Sequence, residues 1–155
     1  MTIDVEALIA GAKKTFEQAE PEDVQILMGE EAVTARFWPL SGREWRDLVA
    51  AHPARSEEID GKTVVVQADR VFNFNADTLT SAYPRVALVQ GDDVTDLTLA
   101  LWGRVLSVLD GNAVEGIAAT IFYMNVIDPA KRLAAAGKAS KGERSRKLSS
   151  PANLE

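Results

Sequence analysis

Residues 95–127 constrain this chain more than any other stretch. Two apolar runs flank a short break at Asp110, Gly111 and Asn112. Before the break, Leu97, Leu101, Trp102, Val105, Leu106 and Leu109 recur at helical spacing; after it, Val114, Ile117, Ala118, Ile121, Phe122 and Asn125 do the same. A Gly and an Asn between two helical patterns mark a turn, so the stretch predicts a helix–turn–helix hairpin. Apart from Asp110, the hairpin carries charge between Asp96 and Asp128 only at Arg104 and Glu115. A helix that is apolar nearly all round is buried in its own domain or covered by another chain. Neither run reaches the roughly 20 apolar residues that a bilayer span requires, so no membrane segment is expected.

The remaining elements must supply what the hairpin packs against. Residues 2–19 predict a helix with Val5, Leu8, Ile9, Ala12 and Phe16 on one stripe and Glu6, Lys13, Lys14 and Glu17 off it. Glu20-Pro21 ends it, because a residue before Pro avoids the α region. Such a helix either closes the core or lays its apolar face in a partner's groove. Two β-type runs follow, at residues 24–28 and 32–38, with Gly29 in the short loop between them. In the second, Val33, Ala35 and Phe37 alternate with Thr34, Arg36 and Trp38. An isolated hairpin is marginal in water, so this one must pack on helices.

Ser41 and Glu44 have the spacing of a capping box and open a helix whose buried stripe is Trp45, Leu48 and Val49. His52-Pro53 ends that helix, and residues 53–62 read as a polar loop. Residues 63–66 form a short β-type run. Asn75 is expected to cap a further helix with Asp77 in its first turn, where negative charge suits the dipole. Pro84 lies too far along to be a first-turn proline, so it should kink that helix or start a new one at Tyr83. Gly91, Asp92 and Asp93 read as a loop. After the hairpin, Asp128-Pro129 starts a short basic helix expected to end near Ala136. From Gly137 onward large apolar side chains are almost absent, and no fixed structure is expected there.

The expected fold is therefore α+β and mostly helical. A helical arm (residues 1–20) precedes an α+β domain (residues 21–136), in which a β-hairpin leads into a helical bundle closed by the apolar hairpin. A disordered basic tail (residues 137–155) follows. A chain of 155 residues suffices for one core that buries roughly 70% of its unfolded surface.

Charge divides along the same lines. Residues 1–130 hold 10 Lys+Arg against 21 Asp+Glu, a balance of −11, whereas residues 131–155 hold 7 against 2, a balance of +5. An acidic body argues against nucleic acid as the main ligand, because phosphate binding needs clustered cations. The tail cations Lys131, Arg132, Lys138, Lys141, Arg144, Arg146 and Lys147 either solubilise the chain or dock on an acidic partner. The absence of Cys excludes disulfides and thiolate metal sites. No cationic, apolar leader opens the sequence, so a cytoplasmic location is expected.

A catalytic constellation is hard to assemble from these residues. The single His, His52, ends a helix, where the dipole favours it. Nucleophilic and metal sites normally require more partners than that. The carboxylate pairs Glu30-Glu31, Glu57-Glu58 and Asp92-Asp93 fall in expected loops, and adjacent residues do not face each other in an acid/base arrangement. No phosphate loop, dinucleotide fingerprint or nucleophile elbow occurs. No enzymatic activity, cofactor or metal is expected.

The order of motifs does resemble a known family. A β-hairpin precedes Pro39-Leu40-Ser41-Gly42-Arg43-Glu44-Trp45-Arg46-Asp47-Leu48, then His52-Pro53-Ala54-Arg55. After a loop come Phe74-Asn75-Ala76-Asp77-Thr78, and later the apolar helical pair with Asn125 near its end and a Ser/Lys/Arg-rich tail. This pattern, over roughly residues 24–147, is similar to that of the tail assembly chaperones of long-tailed, siphovirus-type phages of actinobacteria. Ala54 stands where members more often carry a second Pro, and residues 2–19 lie outside the match.

The resemblance implies a non-enzymatic protein of the host cytoplasm, absent from the mature virion. It would coat the helical tape measure protein and deliver it to the major tail tube protein. A holdase of that kind needs exposed apolar surface and many copies, so a homo-oligomer is expected. Candidate partner-binding residues are Val5, Leu8, Ile9 and Phe16 on the first helix, and Trp102, Phe122 and Tyr123 on the outer side of the hairpin. The alternative is a structural virion component such as a head–tail connector or tail terminator. A small enzyme with a loop-borne carboxylate site is a third, different class.

Overall fold

The computed structural model describes residues 2–149, with side chains through Lys138. The chain is α+β. Helix α1 (Val5–Glu17) leads into strands β1 (Glu22–Met28) and β2 (Glu31–Phe37), then α2 (Gly42–Ala51). Strands β3 (Ser56–Ile59) and β4 (Lys62–Val65) come next, followed by the single turn α3 (Gln67–Arg70) and α4 (Ala76–Ala82). Strands β5 (Val86–Gln90) and β6 (Asp93–Asp96) precede the helical pair α5 (Leu99–Leu106) and α6 (Gly111–Phe122). A π-helical turn, Tyr123–Ile127, carries α6 into α7 (Asp128–Ser149) without a break.

The core is a four-stranded antiparallel sheet of order β1-β2-β5-β6. Central strand β2 has the expected alternation: Ala35 and Phe37 are fully buried, and Phe37 lies opposite Glu22 on one side and Val86 on the other. On its other face Arg36 makes a two-pronged ion pair with Asp23 at 2.8 and 3.0 Å. The sheet's buried face meets α4, α5 and α6 through Leu79, Tyr83, Trp102, Val105, Ile117 and Ile121. The apolar hairpin is therefore core, and α6 lies against both α4 and β1.

The caps form where side-chain chemistry places them. Ser41 and Glu44 make both bonds of the capping box. Asn75 accepts from the Asp77 and Thr78 amides, and Asp110 caps α6 through the Ala113 amide at 2.8 Å. The Asp-Gly-Asn break is thus the start of α6, not a loop of its own.

Four sequence expectations need correction. Pro84 neither kinks nor starts a helix; α4 ends at Ala82 and the chain turns into β5, where Pro may precede a strand without removing a ladder bond. The stretch around Gly91 to Asp93 is the turn and first residue of the β5–β6 hairpin, and β6 (residues 93–96) takes Thr95 and Asp96 from the start of the stretch expected to form the helical hairpin. Residues 53–62 are not all loop: β3 pairs with β4 around Asp60 and Gly61, both at positive φ (53° and 77°), the Asp-Gly signature of a two-residue hairpin turn. Finally, α7 continues past Ala136 to Ser149, so residues 137–149 are helical instead of unstructured. Scarcity of apolar residues precludes packing, but Ala, Lys, Arg and Glu are strong helix formers on their own account. Residues 150–155 of the expected tail lie outside the described residues.

Candidate functional site

The core leaves several large apolar side chains exposed, Leu99, Leu101 and Val108 among them, and two apolar surfaces gather more than one element or turn of helix. The first is α1. Asp4 caps it by accepting from the Ala7 amide, and the helix then runs with no buried residue. Val5, Leu8 and Ile9 are 57%, 63% and 44% exposed, and Ile3 just before them is exposed as well. Only the C-terminal end is tied down. Phe16 is half-buried, with the Arg85 guanidinium 5.3 Å from its ring centre, and Arg85 is itself fixed by donating to the Pro39 carbonyl at 2.7 Å. Phe16, with Ala12 and Thr15, lines a crevice of about 340 Å³ together with Pro39, Leu40 and Met124. The Val5, Leu8 and Ile9 row is thus exposed as a partner site requires, while Phe16 serves more as the attachment point.

The second surface is an open groove of about 970 Å³ between the α3–α4 segment and α6. Ala68, Val71, Phe72 and Ala76 form one wall, and Val114, Ala118 and Ala119 the other. Val71 is 75% exposed at its rim. The charged lining residues are Asp77 and Glu115, both acidic.

A buried ion cluster holds the first wall in place. Asp69 has no exposed surface and accepts from Arg55 three times, at Nε (2.9 Å), at an Nη (2.8 Å) and at the backbone amide (2.9 Å). The Ala76 amide adds a fourth bond at 3.0 Å, and the other Arg55 Nη reaches Asp77 at 3.0 Å. The start of β3, the α3 turn and the start of α4 are thereby clasped together. The Arg55 side-chain bonds hold the Asp69 carboxyl well below the usual carboxylate range, outweighing the cost of its burial. This is an ion pair satisfied from every side, the condition under which a buried charge is tolerated.

A second network joins the hairpin to the strand exit. Asn125, in the π-helical turn, accepts from the Leu40 amide at 2.9 Å and donates to the Tyr83 hydroxyl at 3.0 Å and the Ile121 carbonyl at 2.9 Å. The Tyr83 hydroxyl donates onward to the Trp38 carbonyl at 2.6 Å. Burial pushes the Tyr83 phenol up to about 12. The extra residue of a π turn re-aims a side chain, here Asn125 toward the segment that follows β2.

Not every residue read as partner-binding lies on a surface. Trp102 is 1% exposed; its Nε1–H donates to the Thr80 carbonyl at 2.7 Å and its ring meets Phe37 edge-on at 5.6 Å. It is core, and it cannot contact a partner. Phe122 is half-buried against Phe72 and Phe74, with ring centres 5.6 and 6.3 Å away. Its role is to brace the back of the groove wall. Tyr123 is exposed, with the Lys131 ammonium 5.5 Å from its ring centre. Periodicity marked one face of α5 and α6 as apolar but carried no information on which side the sheet would lie. Lys138 is exposed; the side chains of Lys141, Arg144, Arg146 and Lys147 lie outside the described residues.

The titratable candidates are dispersed. His52 ends α2, and its Nδ1 lies 2.9 Å from the Thr78 hydroxyl. Glu31 accepts from Gln90 at 2.8 Å across the sheet end, and Glu57 and Glu58 stand on β3 instead of in a loop. Among the described residues no group of three or more His, Cys, Asp or Glu side chains is placed to hold a metal ion, and no helix is long and apolar enough to cross a membrane. What this arrangement offers chemically is an exposed apolar helical surface and, separate from it, an apolar groove. No family model matches the chain, and no curated protein or solved structure does either.

Proposed function

We propose that this protein is a phage tail assembly chaperone that holds the tape measure protein through apolar contact and promotes its assembly with the tail tube protein, without catalysis. One observation carries the reading: an amphipathic helix presents Val5, Leu8 and Ile9 to solvent with no buried residue of its own, while Trp102, Val105, Ile117 and Ile121 of the α5–α6 pair are buried. Exposed apolar rows of this kind mark partner sites. A long helical client offers many repeats of the same apolar stripe, which suits recognition by a short helix. The motif order from Pro39 to Asn125 supports the same reading.

Co-expression with a tape measure protein from the same genome tests it. The expected result is a soluble tape measure protein that co-purifies with this chain and aggregates when the chain carries Leu8→Asp. A tape measure protein whose solubility ignores the chain overturns the reading. Recovery of the chain from purified particles would instead assign it to the virion.

A further inference from the structure

We propose that α1 is a strap poised to close on α7 of its own chain, covering the Val5, Leu8 and Ile9 row until a client takes it. The two helices already share one place. The crevice at Phe16 is lined by Ala12, Thr15 and Phe16 of α1 and by Pro129 and Arg132 of α7. Helical spacing carries both linings outward from there. Ile9, Leu8 and Val5 stand three, four and seven residues before Ala12, on the same face of α1. Leu133 and Ala136 stand four and seven residues after Pro129, on the same face of α7. The crevice is thus the inner end of a cleft walled by two apolar rows. In the open arrangement both rows meet water: Leu133 is 75% exposed, and Pro129 and Ala136 are exposed too.

Charge favours closure. From Asp4 to Ala12, α1 and its cap hold the acids Asp4 and Glu6 and no cation; residues 131–138 hold Lys131, Arg132 and Lys138 and no acid. Opposite net charges on two neighbouring helices attract, the more so at low salt. The pivot is present as well. Phe16 is held under the Arg85 guanidinium, and only residues 18–21 separate α1 from β1. Swinging about Phe16 takes Leu8 and Leu133 out of water together, which is the gain that drives closure. The strap's role as a cover for the client surface rests on the reading above, whereas closure itself needs no client.

The chain contains no Cys, so paired substitutions report closure without background. In the purified, dilute full chain under oxidising conditions, Leu8→Cys with Leu133→Cys forms a disulfide within one chain, seen as a monomer of altered mobility on a non-reducing gel. Leu8→Cys with Ala134→Cys, which stands off the apolar row, loses that product, because a disulfide needs closely approaching and correctly aimed Cβ atoms. Adding Glu6→Lys to the first pair, or raising the salt, slows its crosslink. Circular dichroism verifies that each variant is folded. Covalent dimers in place of the intramolecular product overturn the proposal and make α1 a contact between copies. Absence of any crosslink, or equal crosslinking through Ala134→Cys, overturns it as well. A failed client reading is seen separately, as an unchanged tape measure protein in co-expression.

Discussion

Helices α1 and α6 are both short and apolar, yet their fates are opposite. In α6, Ile117, Ala118 and Ile121 are sealed against the sheet and α4; in α1 no residue is buried and the apolar row faces water. The difference lies in what stands behind each helix. α6 lies against β1 and α4, while α1 precedes β1 and lines a crevice of the body with its C-terminal half, at Ala12, Thr15 and Phe16. Apolar content sets how much a helix gains from being covered; position relative to the sheet sets whether its own chain covers it.

The largest predicted effect tests the buried side of that comparison. Trp102→Ala removes a ring packed on Phe37 and the shorter of the two hydrogen bonds to the Thr80 carbonyl, so it should cost about 3–5 kcal/mol in a denaturant melt. A loss well under about 1 kcal/mol would place Trp102 at a surface and erase the contrast.

Next comes the clasp that shapes the groove. Asp69→Asn should cost about 3 kcal/mol at neutral pH, because it breaks a buried pair and leaves Arg55 without its main partner. The sign of its pH dependence follows from the lowered Asp69 pKa. The carboxylate's contribution is fully present above the unfolded value, near about 4, and is lost as pH falls from there toward the folded value. The gap between wild type and Asp69→Asn should therefore narrow as unfolding is measured at progressively lower pH.

The smallest effects belong to the uncovered regions. Leu8→Asp should change stability by no more than about 0.5 kcal/mol while abolishing client solubilisation. A destabilisation rivalling that of Trp102→Ala would show that α1 packs like α6. Removing residues 138–155 should move the melting temperature by less than about 2 °C, since α7 is exposed from Pro129 to Lys138. A larger drop in a thermal scan would mean that the basic helix docks on the body.

Much of the fold was legible because its signals are local. The capping box at Ser41, the Asn75 cap, the β2 alternation and the break before α6 each depend on residues within a few positions of one another. The β3–β4 turn was equally local: Asp60-Gly61 was visible in the chain but outweighed by the polarity around it. The β5–β6 hairpin was missed because Pro84 was read as part of the helix before it instead of the stop that frees Val86 to Gln90 for the sheet.

The candidate surfaces were legible only in part. The α1 row was visible as a stripe, but its exposure was not, and nothing linear joins Ala68 and Phe72 to Val114 and Ala119 across the groove. The Arg55–Asp69 clasp spans 14 positions with no pattern between them, and Asn125 meets Leu40 across 85.

By itself, the sequence determined the apolar helical pair, the β1–β2 hairpin, the caps at Ser41 and Asn75, and that the molecule divides into an acidic body and a basic end. Those properties arise from backbone sterics, short-range hydrogen bonds and net charge. Only the tertiary structure decided that Trp102 is core, that α1 is not, and that two distant stretches form a groove. Burial is a relation between elements far apart in the chain, and it is fixed when the sheet closes against the helices.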